Sequence, residues 1–405
     1  MDDKLTVFVG GSVGSDPESP KTWSGACVLL LRALDDARLL DRAFGVRLPR
    51  MHDVLLRLKN FHPDRARWRS RYYFDLAYRQ ALTRAAGRIP CQGNTLLQIG
   101  HMFCLPQVFS RQMCISYHDG NLAEKLKSGF GLKGQSAKRI DAVLRYEEET
   151  AGQMTAIFTF SQYLRQSFIS DYHVPSHRVF CVGSGINLAS EITLAVHKDY
   201  STPQILFVGV EFGRKGGPQL LEAFRRVRHR IPKAELHIVG PHSTPELPPG
   251  VVFHGHLSKS IPAQKAKLES LYRTSTLFVL PSLYEPFGIA PLEAMLYEVP
   301  CIVTDAWAFR ETVLPGVNGE RVAKGDIENL AETMIRVLND PDSLSAMGRR
   351  GREMVLRDHT WKAVAGRFVQ ALSAIECEPA DRTAALVPAA SLKTEDVILA
   401  PGRRN

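Results

Sequence analysis

Leu283-Tyr-Glu-Pro-Phe-Gly-Ile-Ala-Pro-Leu-Glu-Ala-Met295 sets two carboxylates, Glu285 and Glu293, on either side of a break in predicted structure. Before it, Thr276-Leu-Phe-Val-Leu-Pro-Ser282 is a short apolar run that reads as a buried strand. Within it, Pro291 suits the first turn of a helix whose Leu292, Met295 and Leu296 share one apolar face. Glu285 therefore falls on the loop leaving a strand, and Glu293 near the start of the next helix. In open α/β sheets ligands bind in the crevice beyond the carboxyl ends of the strands. A helix N-terminus there favours an anionic ligand such as a diphosphate, and a loop carboxylate can accept hydrogen bonds from sugar hydroxyls. Spacing alone also allows a blander assignment, with Glu293 favouring the helix dipole and Glu285 solvated.

Working outward, strand-like and helix-period runs alternate. Leu5–Val9 reads as a first strand, followed by a Gly/Ser/Pro loop and a helix from Gly25; further strands are predicted at 95–100, 113–117, 156–160 and 179–182. The pattern restarts with strands at 205–208, 235–239, 251–254 and 276–280, separated by helices. Such alternation argues for α/β architecture, a parallel sheet with helices on both faces, and the restart for two Rossmann-like domains, 1–186 and 187–360. A helix over 361–378 and a mobile tail over 379–405 complete the predicted organisation.

With 405 residues, 44% of them hydrophobic and 23% charged, the composition is that of an ordinary globular protein with two cores. No run approaches the roughly 18 apolar residues that span a bilayer. The acidic, then strand-like start Met1-Asp-Asp-Lys-Leu-Thr-Val does not resemble a secretory signal, so a cytoplasmic protein is expected. Seven cysteines without a C-x-x-C pair read as reduced core residues. The net charge of +9 is lopsided: residues 1–186 carry 25 Lys and Arg against 17 Asp and Glu, the remainder 26 against 25. Within the first half, His62-Pro-Asp-Arg-Ala-Arg-Trp-Arg-Ser-Arg-Tyr-Tyr73 alternates arginine with small or aromatic residues. This implies an anionic partner, either an acidic acceptor or the inner face of an anionic membrane, or else a solvated helix face. No nucleic-acid-binding motif accompanies it.

Read with its intervening residues, Glu285-Pro-Phe-Gly-Ile-Ala-Pro-Leu-Glu293 resembles the E-x7-E signature of retaining glycosyltransferases of the GT-B fold, family 4. The resemblance continues through Phe207-Val-Gly-Val-Glu-Phe-Gly-Arg-Lys-Gly-Gly217, Pro300-Cys-Ile-Val-Thr-Asp305 and Asn318-Gly319. It covers about residues 200 to 375 well and the first half loosely. It implies two Rossmann-like domains facing across a cleft, with the last helix crossing back onto the first. The implied reaction moves a sugar from a nucleoside-diphosphate sugar to a hydroxyl acceptor, which can be anionic or lipid-linked, with no metal and no cofactor.

The resemblance assigns Lys215 to the diphosphate, with Arg214 substituting for an arginine usually found where this chain has Val210. Glycines 213, 216 and 217 are expected to let the backbone approach a ligand. Glu285 would contact the donor sugar, helped by backbone groups of Phe287, Gly288 and Ile289, and Glu293 the ribose. The base would rest near Gly255, His256 and Leu257. In the first domain, Ser24-Gly25 occupies the place of the family's Gly-Gly loop, and His118 aligns with its active-site histidine. Retaining members are usually described as front-face catalysts, so a pair of carboxylates at glycosidase spacing is not demanded. Asp340-Pro-Asp342 resembles a D-x-D metal motif but reads as a turn, with Asp342 as an N-cap, and Cys301 reads as core. Two competing readings are another GT-B enzyme, such as a phosphorylase or hydrolysing epimerase, and a nucleotide-sugar-binding partner subunit without turnover. The pyridoxal-lysine motif of phosphorylases is not apparent, and inverting epimerases lack the Glu-Pro-Phe-Gly context.

Overall fold

Among the described residues two six-stranded sheets organise the chain, and every pairing within them is parallel. The computed structural model describes residues 4–130, 132, 134–188, 198–240 and 247–377. The first sheet comprises β1 (Leu5–Gly10), β2 (Leu40–Val46), β3 (Thr95–Ile99), β4 (Met113–His118), β5 (Ala156–Thr159) and β6 (Val179–Cys181), in the order β2-β1-β3-β4-β5-β6. The second comprises β7 (Gln204–Val208), β8 (Glu235–Val239), β9 (Val251–Gly255), β10 (Leu277–Leu280), β11 (Cys301–Thr304) and β12 (Gly319–Val322), ordered β12-β11-β10-β7-β8-β9.

The central strands are continuous apolar runs because helices cover both of their faces. Leu-Thr-Val-Phe-Val-Gly of β1 and Leu-Phe-Val-Leu of β10 are buried along their whole length. In each sheet the strand order reverses beside the first strand, between β1 and β3 and between β7 and β10. At such a switch point the connecting loops diverge to opposite faces and leave a crevice at the carboxyl ends of the strands. The segment Leu283–Met295 leaves β10 at that point.

The helix Trp361–Cys377 packs on the first sheet's domain. Arg367 Nε donates to the Val182 carbonyl at 2.6 Å and Trp361 Nε1 to that of Ile186 at 2.9 Å. The Phe368 ring lies 4.9 Å from Phe158 and 5.1 Å from Tyr117, both in near-perpendicular contact. The tail expected over 379–405 and residues 189–197, between the two domains, lie outside the described residues.

Two sequence expectations needed correction, the strand list and the Asp342 cap, while the helix over the arginines and the core position of Cys301 agree with the sequence reading. The edge strands β2 and β12 went unforeseen because Leu-Asp-Arg-Ala-Phe-Gly-Val and Gly-Glu-Arg-Val are only partly buried and lack an apolar run. Asp340, rather than Asp342, is the N-cap of the helix Pro341–Asp358, accepting from the Ser343 amide at 2.9 Å. The alternating arginines of 62–73 fall on a helix, Arg65–Tyr73, capped by Asp64. Cys301 is core: burial pushes its thiol pKa well up, and its Sγ lies 3.4 Å from the Pro291 carbonyl.

Candidate active site

The loops that follow β7 and β10 close on each other at the switch point of the second sheet. The Leu283 amide donates to the Arg214 carbonyl at 2.8 Å, and Arg214 Nη1 to the Tyr284 carbonyl at 2.7 Å. One carboxylate oxygen of Glu285 receives the Lys215 ammonium and lies 3.4 Å from Arg214 Nη1. Arg214 Nε also holds Glu211 at 2.5 Å. Two cations and a carboxylate from distant stretches thus share one largely buried spot.

Glycine makes the approach possible. Gly216, at φ +76°, starts the helix Gly217–Arg230, and a Cβ there would sit 2.0 Å from the Pro281 carbonyl oxygen. A Cβ on Gly217 would run into the Phe212 ring at 2.1 Å. These two glycines are therefore accounted for by protein packing, whereas Gly213 faces open space.

Gly288 plays the matching part after β10. At φ +85° it is the N-cap of the helix Ile289–Leu296, and a Cβ would lie 2.3 Å from Phe309. Phe287 is buried, its ring 5.3 Å from Phe160 of the first domain. Glu293, in the second turn, is buried as well. Its carboxylate pairs with the Lys259 ammonium through one oxygen and accepts the Tyr272 hydroxyl at 3.2 Å through the other. Lys259 lies just beyond Gly255-His256-Leu257, where Gly255 (φ +66°) ends β9 and its carbonyl accepts from the Gly240 amide at 2.8 Å. Neither Lys259 nor Tyr272 was foreseen. The only signal for Lys259 was its closeness in sequence to the predicted base-binding segment, and Tyr272 carried none.

His118 ends β4 and is buried, stacked 5.4 Å from the His101 ring and tilted against Phe168 at 4.9 Å. Burial, reinforced by His101, holds its pKa well below the usual histidine range, so the imidazole is neutral. Behind it, His101 Nε2 lies 3.0 Å from Glu147. Glu147 also accepts from Arg79 at 3.1 Å, the Tyr172 hydroxyl at 3.0 Å and the Leu122 amide at 3.1 Å. Burial opposes ionisation of Glu147, but His101, Arg79 and these hydrogen bonds outweigh it and hold the carboxyl at about 2. His101, His118, Glu147 and Phe168 line a cavity of about 10 Å³. His101, Glu147 and Arg79 were missed because their convergence depends on tertiary packing.

Trp23, Ser24 and Gly25 lie successively in the left-handed region (φ +50°, +55° and +90°) immediately before the helix Ala26–Asp36. Two non-glycine residues there store strain, as functional turns often do. The turn is tied down at both ends. Asn187 Nδ2 donates to the Ser24 carbonyl at 3.1 Å, and Trp23 Nε1 to Asp119 at 3.1 Å. Burial pushes the Asp119 carboxyl up, and Glu285 across the cleft adds to the rise.

The two halves meet here. A Cβ on Gly120 would lie 3.0 Å from Pro286 Cβ. Trp23 packs on Phe160 at 5.0 Å, and Phe160 on Phe287, so aromatic rings bridge the domains. Glu311 of the second domain accepts from the Gln162 amide at 2.8 Å and from that of Tyr163, at the N-terminus of the helix Gln162–Ser170. Lys324 Nζ reaches the Ser128 carbonyl at 2.9 Å.

Residues 195–354 match the family model described as glycosyl transferases group 1. Glycogen synthase of Mycobacterium tuberculosis is 28% identical over 177 residues, covering 41% of this chain and 41% of that protein. The aligned stretch thus spans less than half the length of that curated relative. Sucrose-phosphate synthase from Thermosynechococcus elongatus superposes with a TM-score of 0.66 at 17% identity, over 91% of this chain and 98% of the other. Anabaena HepE, solved in complex with UDP and glucose, gives 0.63 at 16% identity, over 92% and 99%. The chain has the GT-B fold, and its second domain is similar in sequence to the glycosyl transferases of group 1.

Proposed function

We propose that this chain is a retaining, metal-independent glycosyltransferase of family 4 type, moving a hexosyl group from a nucleoside-diphosphate sugar to a hydroxyl acceptor. The observation that carries the reading is the convergence of Lys215, Arg214 and Glu285 at the switch point of the second sheet. Basic groups already fixed where negative charge develops on a departing diphosphate stabilise it without reorganising at the moment of reaction. Glu293, held by Tyr272 and Lys259, suits the ribose hydroxyls, and Gly255-His256-Leu257 the base. Glu285 suits the sugar hydroxyls, as do the backbone groups of Phe287, Gly288 and Ile289. Ser24-Gly25, at the opening of a helix in the first domain, would meet the donor phosphate from the other wall. His118, neutral and rigidly stacked, would hold the sugar.

In this reading the C1–oxygen bond to the diphosphate breaks while the acceptor oxygen bonds to C1 on the same face. The acceptor's proton passes to the departing phosphate oxygen. No metal or cofactor takes part. The site of action is the cytoplasm, with an acceptor that is a growing glycan, glycolipid or glycoside, anionic or lipid-linked.

Incubation with UDP-, GDP- and ADP-sugars in EDTA tests the proposal, following release of nucleoside diphosphate and the anomeric configuration of the product by NMR. UDP-sugars come first, because HepE was solved with UDP and glucose. Acceptor-dependent release with retained configuration is expected. An inverted product, or activity restored only by added Mn²⁺ or Mg²⁺, would overturn it.

A further inference from the structure

The helix Arg50–Lys59 turns its apolar side outward. Met51, Val54, Leu55 and Leu58 are 75, 53, 59 and 66% exposed, and Phe61 just beyond is 60% exposed. At 3.6 residues per turn the first four form a stripe about 100° wide, the width that surface helices ordinarily bury. The side facing the protein is instead mostly polar. Asp53 accepts the Tyr72 hydroxyl, Asn60 Nδ2 holds Asp75 at 2.6 Å, Trp68 Nε1 donates to the Arg57 carbonyl at 2.9 Å, and Leu56 supplies the apolar contact. The helix is thus anchored with its hydrophobic ridge facing away from the core.

Basic residues flank the ridge. On the helical wheel Arg50 and Arg57 fall to one side of the stripe and His52 and Lys59 to the other; Arg57 is paired with Asp53 at 2.9 Å and Lys59 with Asp75 at 3.0 Å, both remaining half exposed. The neighbouring helix Arg65–Tyr73 adds four arginines, although they do not form one face. Arg65 and Arg69, four apart, share a side; Arg67 lies against Gly134, and Arg71 Nη1 is 3.5 Å from the Phe61 carbonyl. Over residues 50–73 seven Lys and Arg stand against two Asp.

We infer that this ridge docks the first domain onto an anionic lipid surface, its apolar side chains entering the headgroup–acyl boundary and its basic flanks pairing with lipid phosphates. An apolar stripe between rows of cations is the pattern of helices that lie in a membrane interface. It also extends the +8 excess of the first half into a defined contact. The inference concerns where the protein sits and does not depend on the chemistry proposed for the cleft.

Co-sedimentation of the full chain with phosphatidylcholine vesicles, with and without phosphatidylglycerol, tests it. Binding should require the anionic lipid and weaken with salt. Met51→Ser/Leu55→Ser/Leu58→Ser should lower vesicle affinity at least tenfold at every salt concentration. Arg50→Gln/Arg65→Gln/Arg69→Gln should lower it mainly at low salt. Circular dichroism and nucleoside-diphosphate binding, measured on the same samples, should be unchanged in both variants; a wild type that binds no nucleoside diphosphate bears on the cleft and not on this surface. A wild-type protein that ignores anionic vesicles at low salt overturns the inference. So does a serine variant that binds like wild type. A wild-type dimer in sedimentation velocity that the serine substitutions dissociate, without vesicle binding, would assign the ridge to a second copy of the chain instead.

Discussion

The Lys215 ammonium and the Glu285 carboxylate are seventy residues apart in the chain, yet they form an ion pair where the loops after β7 and β10 converge. The pair links the cation suited to a diphosphate with the carboxylate suited to a sugar. Glu285 also competes for the charge that a diphosphate would use. Removing Lys215 and removing Glu285 should therefore have opposite consequences for a ligand without a sugar.

Lys215→Ala and Glu293→Ala should weaken binding of a free nucleoside diphosphate by about 10- to 150-fold, the cost of a charge-assisted hydrogen bond of about 1.5–3 kcal/mol. Glu285→Ala should leave that binding intact or tighten it, while lowering turnover. Isothermal titration of the three variants separates the roles. Equal weakening in all three would contradict the division.

Gly288→Ala should be more damaging than its size suggests. It would force a side chain into φ +85° and against the Phe309 ring. Strain of this kind costs on the order of 1–3 kcal/mol, so a drop of that size in urea-melt stability is expected. Gly213→Ala, which meets nothing, should be close to neutral.

Closure of the cleft depends in part on Glu311. Its carboxylate sits at a helix N-terminus of the opposite domain, an arrangement worth about 0.3–1 kcal/mol, up to ~2 when partly buried. Glu311→Ala should enlarge the radius of gyration measured by small-angle scattering, and saturating donor should narrow the difference. Identical profiles for wild type and variant would assign closure to the aromatic bridge alone.

Acid should destabilise the protein below neutrality through its half-buried histidines His359 and His254. Burial lowers His359 to about 4, and burial with His237 lowers His254 to about 4. Below about pH 6.5 the unfolded chain takes up protons that these folded-state residues refuse, so their contribution is full above pH 6.5 and lost as pH falls towards 4. For His359 alone the shift corresponds to on the order of 3 kcal/mol. Urea melts from pH 7 to 4.5 should show the decline. His359→Asn, which can still donate to the Ser184 carbonyl, should show a shallower one.

The fold was legible because buried parallel strands write themselves as unbroken apolar runs, as in β1 and β10, while polar edge strands β2 and β12 did not. Glu285, Lys215 and Arg214 were legible because a loop between strand and helix confines them to the carboxyl end of the sheet, and Glu293 because it lies in the helix that follows. Their partners were not. Lys259 and Tyr272 reach Glu293, and His101 and Glu147 stand behind His118, through packing between elements that no local spacing encodes. The ridge of Arg50–Lys59 has ordinary amphipathic periodicity in sequence. Which side faced the protein was decided by Asp53, Leu56 and Asn60 finding partners.

The most direct test is a calorimetric titration of the wild-type protein, in EDTA, with UDP, GDP and ADP and their sugars. If the cations at the switch point hold a diphosphate without metal, at least one nucleoside diphosphate should bind with a Kd of roughly micromolar order, about −8 kcal/mol. Its affinity should fall when Lys215 is replaced by Ala. Absence of binding across the panel, or binding that appears only when Mn²⁺ or Mg²⁺ is added, would contradict the account.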